Sequence, residues 1–404
     1  MRPHRGGHDA GKAVLPSHRL RMRARRWPAT VAATMKPARA IAALRTLCAL
    51  QLHPEVLVPA LLEALHTLVP SQRNLFDWTD TQGRLVRYFI EGPIDAEIAR
   101  LYFAEFHNHR EAEAMPRFDT LQRLPAGVRS ADELNHAGFF RSALYNEIWR
   151  PQGLHTRLEA VLRGRDGALV GSLVLYRGPG ETPFTQRDEQ HLAAVLPAIA
   201  AALQMHGAAH ADDRHVLGPD APETLLLTLA GELCHASPGA ERLLLMAQGG
   251  ASPERLAHPG RPGQWQLLAM LLARLREQAG AGAAQVLAPP PSIVHETAAG
   301  QFVASGLLLR ARRSGEPPLA QVTLRRLEPH RVALERELRC LPLTPGQAAV
   351  CRGLYRGHTH AQIGQQLGVA SATVVDHVRK AYRTLDLNSV HELRALLDAR
   401  IARP

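Results

Sequence analysis

The sequence is poor in cysteine and holds no long apolar run, and both shortages exclude classes of protein. Its four cysteines are scattered with no C-x-x-C pair, which argues against a disulfide framework or a structural zinc site and favours a reducing compartment. The longest apolar stretch, residues 192–203, is interrupted by Pro197, whereas a membrane-spanning helix needs about 20 apolar residues. We therefore expect a cytoplasmic protein without a membrane segment.

Sequence motifs that carry out chemistry are also missing. The chain has no phosphate-binding glycine loop, no nucleophile elbow and no pair of carboxylates at catalytic spacing. Its closest histidine pairs, His107 with His109 and His358 with His360, lack the i, i+4 spacing of a helical metal pair. Solvated histidines explain them better, so we expect no catalytic residue, no metal site and no cofactor.

Acidic residues are scarce at the two ends of the chain. The formal net charge is +11, but residues 1–39 hold ten Lys or Arg against one acid and carry +9. Residues 338–404 hold nine against four and carry +5, which leaves the long middle slightly negative. Only the two ends therefore have an electrostatic reason to seek nucleic acid.

The N-terminal segment, residues 1–35, has a composition shared by transit peptides, nucleic-acid arms and sequence translated upstream of the true start. Arg25 and Arg26 fit a twin-arginine export signal, but basic residues from Lys36 onward interrupt the apolar region that such a signal needs. Because Met35 directly precedes the first sustained helical pattern, we expect a disordered extension or a start at Met35.

Residues 36–206 have the pattern of one α+β domain. After an apolar helical start, strands at 75–79 and 85–90 flank a hairpin turn, and helical segments follow at 97–106 and 138–149. A second hairpin, with the run DGALVGSLVLYR, and a capped helix close the domain. This order resembles a GAF-like sensor domain, and the resemblance implies a small-molecule effector held between the sheet and the helices.

Five aromatic residues are candidates for lining that ligand pocket. They are Trp78, Tyr102, Phe106, Tyr145 and Trp149. Aromatic side chains beside a sheet also serve as ordinary core, so simple packing is the alternative explanation.

Residues 218–328 follow a polar linker at 207–217. A strand at 225–229 and helical segments precede a proline break and three further strands, an order that resembles a small PAS-like domain. Residues 329–341 are rich in Arg and Glu, which favours an exposed linker helix that transmits a rearrangement between domains or pairs in a dimer.

Residues 342–404 have the pattern of four short helices around one small core. Thr344 and Thr359 are placed to cap the first two helices, and Gly368 to turn the chain before a third helix that starts at Ser371. The predicted inner line of that helix comprises Val374, Val378, Ala381 and Leu385. Its opposite face is polar and mostly basic, at a spacing that a DNA major groove accepts.

This pattern resembles the LuxR-type helix-turn-helix of bacterial transcription regulators. The matching positions are Leu343, Thr344, Val350, Gly357, Ile363, Leu367, Gly368, Val369, Thr373, Val374, His377 and Leu385. The departures are Gly346, Gln347, Val375, Thr384 and Val390. The residues expected to contact DNA are Thr359, Ser371, Thr373, Val375, Asp376, His377, Arg379, Lys380 and Arg383.

We therefore predict a multidomain α+β protein with GAF-like and PAS-like sensor domains and an all-α four-helix DNA-binding end. The expected partners are double-stranded DNA, a second copy of the chain, a small-molecule effector and RNA polymerase. A signalling adaptor that binds a protein groove through its terminal helices is the alternative. An enzyme housed in residues 36–206 is a third hypothesis, and it lacks a catalytic constellation.

Because residues 1–34 lack apolar periodicity, their deletion should change the stability of the rest of the chain very little. The free energy of unfolding of a chain starting at Met35 should stay within about 1 kcal/mol of the full-length value, the usual scale of one damaging substitution. A larger loss in denaturant unfolding would show that the segment belongs to the folded protein.

Overall fold

A computed structural model describes residues 36–80, 82–204, 214–254, 265–280, 289–310 and 317–402; the N-terminal extension expected at residues 1–35 lies outside these ranges. The strands are β1 Arg73–Thr79, β2 Leu85–Ile90, β3 Gly127–Val128, β4 Thr156–Arg163, β5 Leu169–Arg177, β6 His215–Leu217, β7 Glu223–Thr228, β8 Leu233–Ala236, β9 Ser292–Thr297, β10 Gly300–Leu309 and β11 Leu319–Pro329. The helices are α1 Pro37–Cys48, α2 Pro54–Leu65, α3 Ala96–Leu101, α4 Ala131–Leu134, α5 Ala137–Arg141, α6 Gln186–Ala193, α7 Leu196–Gln204, α8 Ala240–Ala247, α9 Gln266–Gly280, α10 His330–Cys340, α11 Pro345–Tyr355, α12 His360–Leu367, α13 Ser371–Leu385 and α14 Val390–Ile401. Further helical turns lie at Tyr102–Phe106, Arg110–Glu113, Phe118–Arg123, Leu144–Trp149 and Arg150–Gln152.

The first sheet has the strand order β2-β1-β5-β4-β3, with all neighbours antiparallel. Both predicted hairpins are confirmed, as is the helix cap of Thr185 with Asp188. Strand β4 is buried on both faces, because α1, α2 and α7 cover one side of the sheet and the chain between β2 and β4 covers the other. Because both faces of the sheet are covered, a site can lie inside the fold, between the sheet and a covering layer.

The second sheet has the order β8-β7-β11-β10-β9, with β6 paired to β11. The last strand, β11, lies between β7 and β10, as β5 lies between β1 and β4 in the first sheet. The three strands predicted after residue 291 are confirmed. Strand β6 lies within the predicted linker at 207–217; it is only three residues long, which leaves no alternating pattern to detect.

Helix α10, which joins the second sheet to the C-terminal helices, is not exposed as its composition predicts. Val332, Leu334 and Leu338 are buried, and the helix packs against α1 on one side and α14 on the other. Arg339 also donates from Nη2 to Glu63 Oε1 of α2 at 2.8 Å, with both side chains less than one-tenth exposed. Composition does not distinguish Arg and Glu in buried ion pairs from Arg and Glu in water.

Ion pairs also join α10 to the C-terminal helices. Arg352 of α11 donates to both carboxylate oxygens of Glu335, one of them at 2.7 Å. Arg400 of α14 donates to Glu337 at 2.9 Å. Helix α10 is therefore attached on both sides by charged as well as apolar contacts.

The C-terminal unit consists of α11 to α14, as the helical pattern predicts. Both caps are confirmed: Thr344 accepts from the backbone of Gln347, Thr359 accepts from that of Gln362, and each glutamine closes its capping box. Gln347, a departure from the LuxR-type pattern, therefore still stabilises the start of α11. The common core includes Val350, Ile363, Val374, Ala381, Leu393 and Leu397.

Replacing Arg339 by Met should loosen α10, because Glu63 keeps its buried charge and loses its partner. Breaking a buried pair in this way costs about 3 kcal/mol, which corresponds to roughly 100-fold faster hydrogen exchange of the α10 amides. Arg84→Met is the matched control, since the Arg84–Asp80 pair lies on the surface and is worth less than about 1 kcal/mol. Equal exchange rates in the two variants would show that the buried pair does not hold α10.

Candidate nucleic-acid interface and ligand cavity

The turn between α12 and α13 depends on two glycines. Gly368 ends α12 in the left-handed region, at φ +66°, where a side chain is disfavoured. At Gly364, an added Cβ would lie 2.8 Å from the carbonyl oxygen of Val369, so only glycine permits this close approach. The two glycines fix the angle at which α13 leaves the turn.

Helix α13 is amphipathic, with its inner face in the core and its outer face in solvent. Val374 and Ala381 are fully buried, and Val378 and Leu385 pack against the same core, as predicted. The three basic side chains of the outer face are exposed: Arg379, Lys380 and Arg383. A 15-residue helix is about 22 Å long, enough to lie in a major groove.

Two further residues modify this outer face. Lys380 donates to Asp376 at 2.7 Å, and that contact lowers the pKa of the Asp376 carboxyl. Val375 is 40% exposed and lies one helical turn before Arg379. The outer face therefore combines an apolar group, an ion-paired carboxylate and exposed guanidinium groups.

The other predicted DNA contacts are placed differently. Ser371 and Thr373 are exposed at the start of α13, whereas the Thr359 hydroxyl is engaged in capping α12. The His377 ring packs against Gly346, where an added Cβ would lie 3.1 Å from its Cε1, and its Nδ1 atom is buried. The absence of a side chain at Gly346 makes room for this ring, and its contact with a phosphate stays a prediction.

A cavity of about 150 Å³ lies in the N-terminal unit, between the first sheet and the helical segments that cover it. Of the five predicted aromatic residues, Tyr102 and Trp149 line it. Phe106 and Tyr145 belong to the apolar core nearby, and Trp78 packs edge-to-face against Phe76 elsewhere. Two of the five residues therefore line a cavity, and their contact with a ligand stays a prediction.

The floor of the cavity is built from charged and polar strand residues that the sequence analysis missed. Alternation brings Arg73 and Asp77 of β1, Arg157 and Glu159 of β4, and Ser172 and Tyr176 of β5 to one face. Tyr176 pairs in register with both arginines, and Ser172 pairs with Asp77. The signal was available in the sequence, because charges at alternate positions of an otherwise apolar strand indicate a buried polar site.

Burial shifts the pKa values of two charged residues of this floor, Asp77 and Arg73. Desolvation raises the pKa of Asp77 to about 7, although Ser172 donates a hydrogen bond to its Oδ2 atom at 2.8 Å. Burial also lowers the pKa of Arg73 to about 10, while its guanidinium donates to the backbone carbonyls of Glu91 and Pro93. Asp77 is therefore a group that exchanges a proton near neutral pH.

Arg157 is the least satisfied cation of the floor. Its side chain is 2% exposed, and the guanidinium lies 4.9 Å from the ring centroids of Phe139 and Trp149. Its Nη1 atom donates to the Met115 sulfur at 3.3 Å, and its Nε atom lies 3.8 Å from Glu159, beyond hydrogen-bonding distance.

No protein-family profile matches the chain, and no curated protein is similar to it. Among solved structures, it is similar to the Vibrio cholerae VqmA dimer, a LuxR-type receptor, with 16% identity over 45% of this chain and 84% of that one and a TM-score of 0.18. A VqmA complex with ligand and DNA is 17% identical over 46% of this chain and 84% of that one, with a TM-score of 0.19. The Escherichia coli DhaR(N)–DhaL complex is 16% identical over 75% of this chain and 91% of that one, with a TM-score of 0.23. Because TM-scores this low do not establish a shared fold, the proposal below rests on the residues of this chain.

The raised pKa of Asp77 predicts a pH dependence of stability. Between about pH 4 and pH 7 the folded state keeps a proton on Asp77 that the unfolded chain has lost. The contribution of this group to the free energy of unfolding is therefore full below about pH 4 and is lost as the pH rises to about 7. Asp77→Asn should remove this pH dependence. Between about pH 4 and pH 8, the free energy of unfolding of the variant should rise relative to that of wild type by up to about 4 kcal/mol. Asp80→Asn is the control, because the pKa of the exposed Asp80 is lowered instead. Parallel pH profiles for wild type and Asp77→Asn would contradict the assignment.

Proposed function

We propose that the chain is a transcriptional regulator of LuxR type, which binds double-stranded DNA through α13 and senses a small ligand in its N-terminal unit. The observation that carries the proposal is the position of Arg379, Lys380 and Arg383 on the exposed face of a helix whose other face is buried. The short turn at Gly368 presents this helix at the corner of the unit, where a groove can receive it.

The outer face of α13 offers both kinds of DNA contact. Arg379 is free to bond a guanine edge in bidentate fashion, and Val375 presents an apolar surface of the kind that contacts a thymine methyl group. Lys380 and Arg383 lie further round the helix and are assigned to phosphates, which position the protein without reading sequence.

A sensor role for the N-terminal unit is supported by its cavity, which combines apolar walls with a few buried polar groups. We assign this unit to a GAF-like domain and the second sheet to a PAS-like domain. The regulator is proposed to act as a homodimer, because one helix reads a short half-site and two are the usual route to useful affinity.

A protein-binding adaptor is the second candidate, favoured by one specific observation. Leu367, Val369 and Val375 are large apolar residues near the α12–α13 corner, and each is 38–40% exposed. Such side chains suit a protein groove as well as a DNA groove. Binding of random duplex DNA that weakens steeply with added salt separates the two functions, because only the DNA reader releases counterions.

Removing a base contact and removing a phosphate contact should have different effects. Arg379→Ala should cost about 1 to 3 kcal/mol of binding energy and relax the preference at one base pair. Lys380→Ala should weaken binding to all sequences alike and lower the salt slope by about one. Titrations of the bound sequence and its single-base variants at several salt concentrations measure both effects.

The matched control is Arg394→Ala, since Arg394 lies on α14, outside α13, and donates to the carbonyl oxygen of Leu354. That variant should retain both the base preferences and the salt slope. If Arg379→Ala changes only the salt slope, Arg379 contacts the DNA backbone and the proposed facing of α13 is wrong.

A further inference from the structure

Within the described part of the chain, the guanidinium of Arg157 has no oxygen acceptor at hydrogen-bonding distance, although it is buried beside a cavity. Phe139 and Trp149 cover the group, so only its N–H edges remain to be satisfied. Among the described residues, its side-chain hydrogen bond goes to the Met115 sulfur, which is a weak acceptor. A buried cation in this state is costly unless something else completes its hydrogen bonds.

The surrounding charges favour an anion as the missing partner. Glu159 is the nearest carboxylate, but it accepts from Arg129 at 3.0 Å and stays 3.8 Å from Arg157. Two guanidinium groups therefore share one carboxylate, which leaves this end of the floor with a positive charge. Arg73 lies in register with Tyr176 and Arg157 across the sheet and adds a further positive charge to this end.

The other end of the floor has the opposite character. The Asp77–Ser172 pair lies four residues from the Arg73–Tyr176 pair along the two antiparallel strands, a separation of about 13 Å. The cavity between the two ends, about 150 Å³, is of the size that holds one benzene ring. Tyr102, Phe103 and Trp149 provide the aromatic walls that a flat ring would contact.

We infer that the cavity binds a single-ring aromatic carboxylic acid whose carboxylate accepts hydrogen bonds from Arg157 and whose opposite end carries a hydroxyl group directed at Asp77. This inference deepens the proposed sensor function and rests on it. The carboxylate would supply oxygen acceptors to Arg157, and the hydroxyl would donate to Oδ1 of Asp77, the oxygen to which Ser172 does not donate.

The test uses the purified full-length chain with 4-hydroxybenzoate and its neutral isostere 4-hydroxybenzamide, in titration calorimetry and thermal unfolding. The acid should bind one molecule per chain and raise the melting temperature, and it should bind about 10- to 100-fold tighter than the amide. 4-Methylbenzoate, which matches 4-hydroxybenzoate in size but lacks the hydroxyl, should bind more weakly in wild type, and Asp77→Asn should reduce that difference.

Arg157→Met should remove the advantage of the acid over the amide, while Arg165→Met, an exposed arginine in the β4–β5 turn, should retain it. If Arg157→Met fails to fold by circular dichroism, the comparison of acid with amide in wild type decides alone. Equal binding of acid and amide, or no binding of either, overturns the inference.

Failure of this inference and failure of the proposed function give different results in these experiments. Salt-dependent DNA binding without a preference for the acid would refute the ligand class alone. Acid binding by a chain that shows no affinity for duplex DNA would refute the regulator and leave the site.

Discussion

The arrangement of the whole chain depends on helix α10, which is held from two sides at once. Glu63 binds Arg339 on the side of the N-terminal unit, and Arg352 and Arg400 bind acids of α10 on the side of the C-terminal helices. Val332, Leu334 and Leu338 fill the space between them. The orientation of α13 relative to the ligand cavity is therefore set by how this one helix packs.

In the proposed regulator, a helix fixed in this way would give a ligand a physical route to DNA affinity. Occupation of the cavity alters DNA binding only if the ligand binds one packing of α10 more tightly than another. A tenfold difference between the two arrangements corresponds to about 1.4 kcal/mol, less than the cost of breaking one buried ion pair. The Glu63–Arg339 pair lies directly between the unit that holds the cavity and α10, so small shifts of α2 reach α10 without an intervening loop.

Much of this architecture follows from local sequence patterns. The caps at Thr344 and Thr359, the turn at Gly368 and the inner line of α13 are predictable because apolar spacing and cap chemistry act over a few residues. The burial of α10 was not predictable, since its charged side chains find partners up to 281 residues away. In the cavity floor, the alternate charges of each strand could have been read from the sequence, but only the strand pairings show that Arg73, Asp77 and Arg157 belong to one floor.

The central claim, that α13 reads duplex DNA, is tested most directly by selecting sites from a random duplex library with the purified full-length chain. The account predicts enrichment of a two-fold symmetric sequence with half-sites about 10 base pairs apart. It also predicts that a variant with Arg379, Lys380 and Arg383 all changed to Ala enriches nothing. Recovery of no sequence above the level of that variant would contradict the claim.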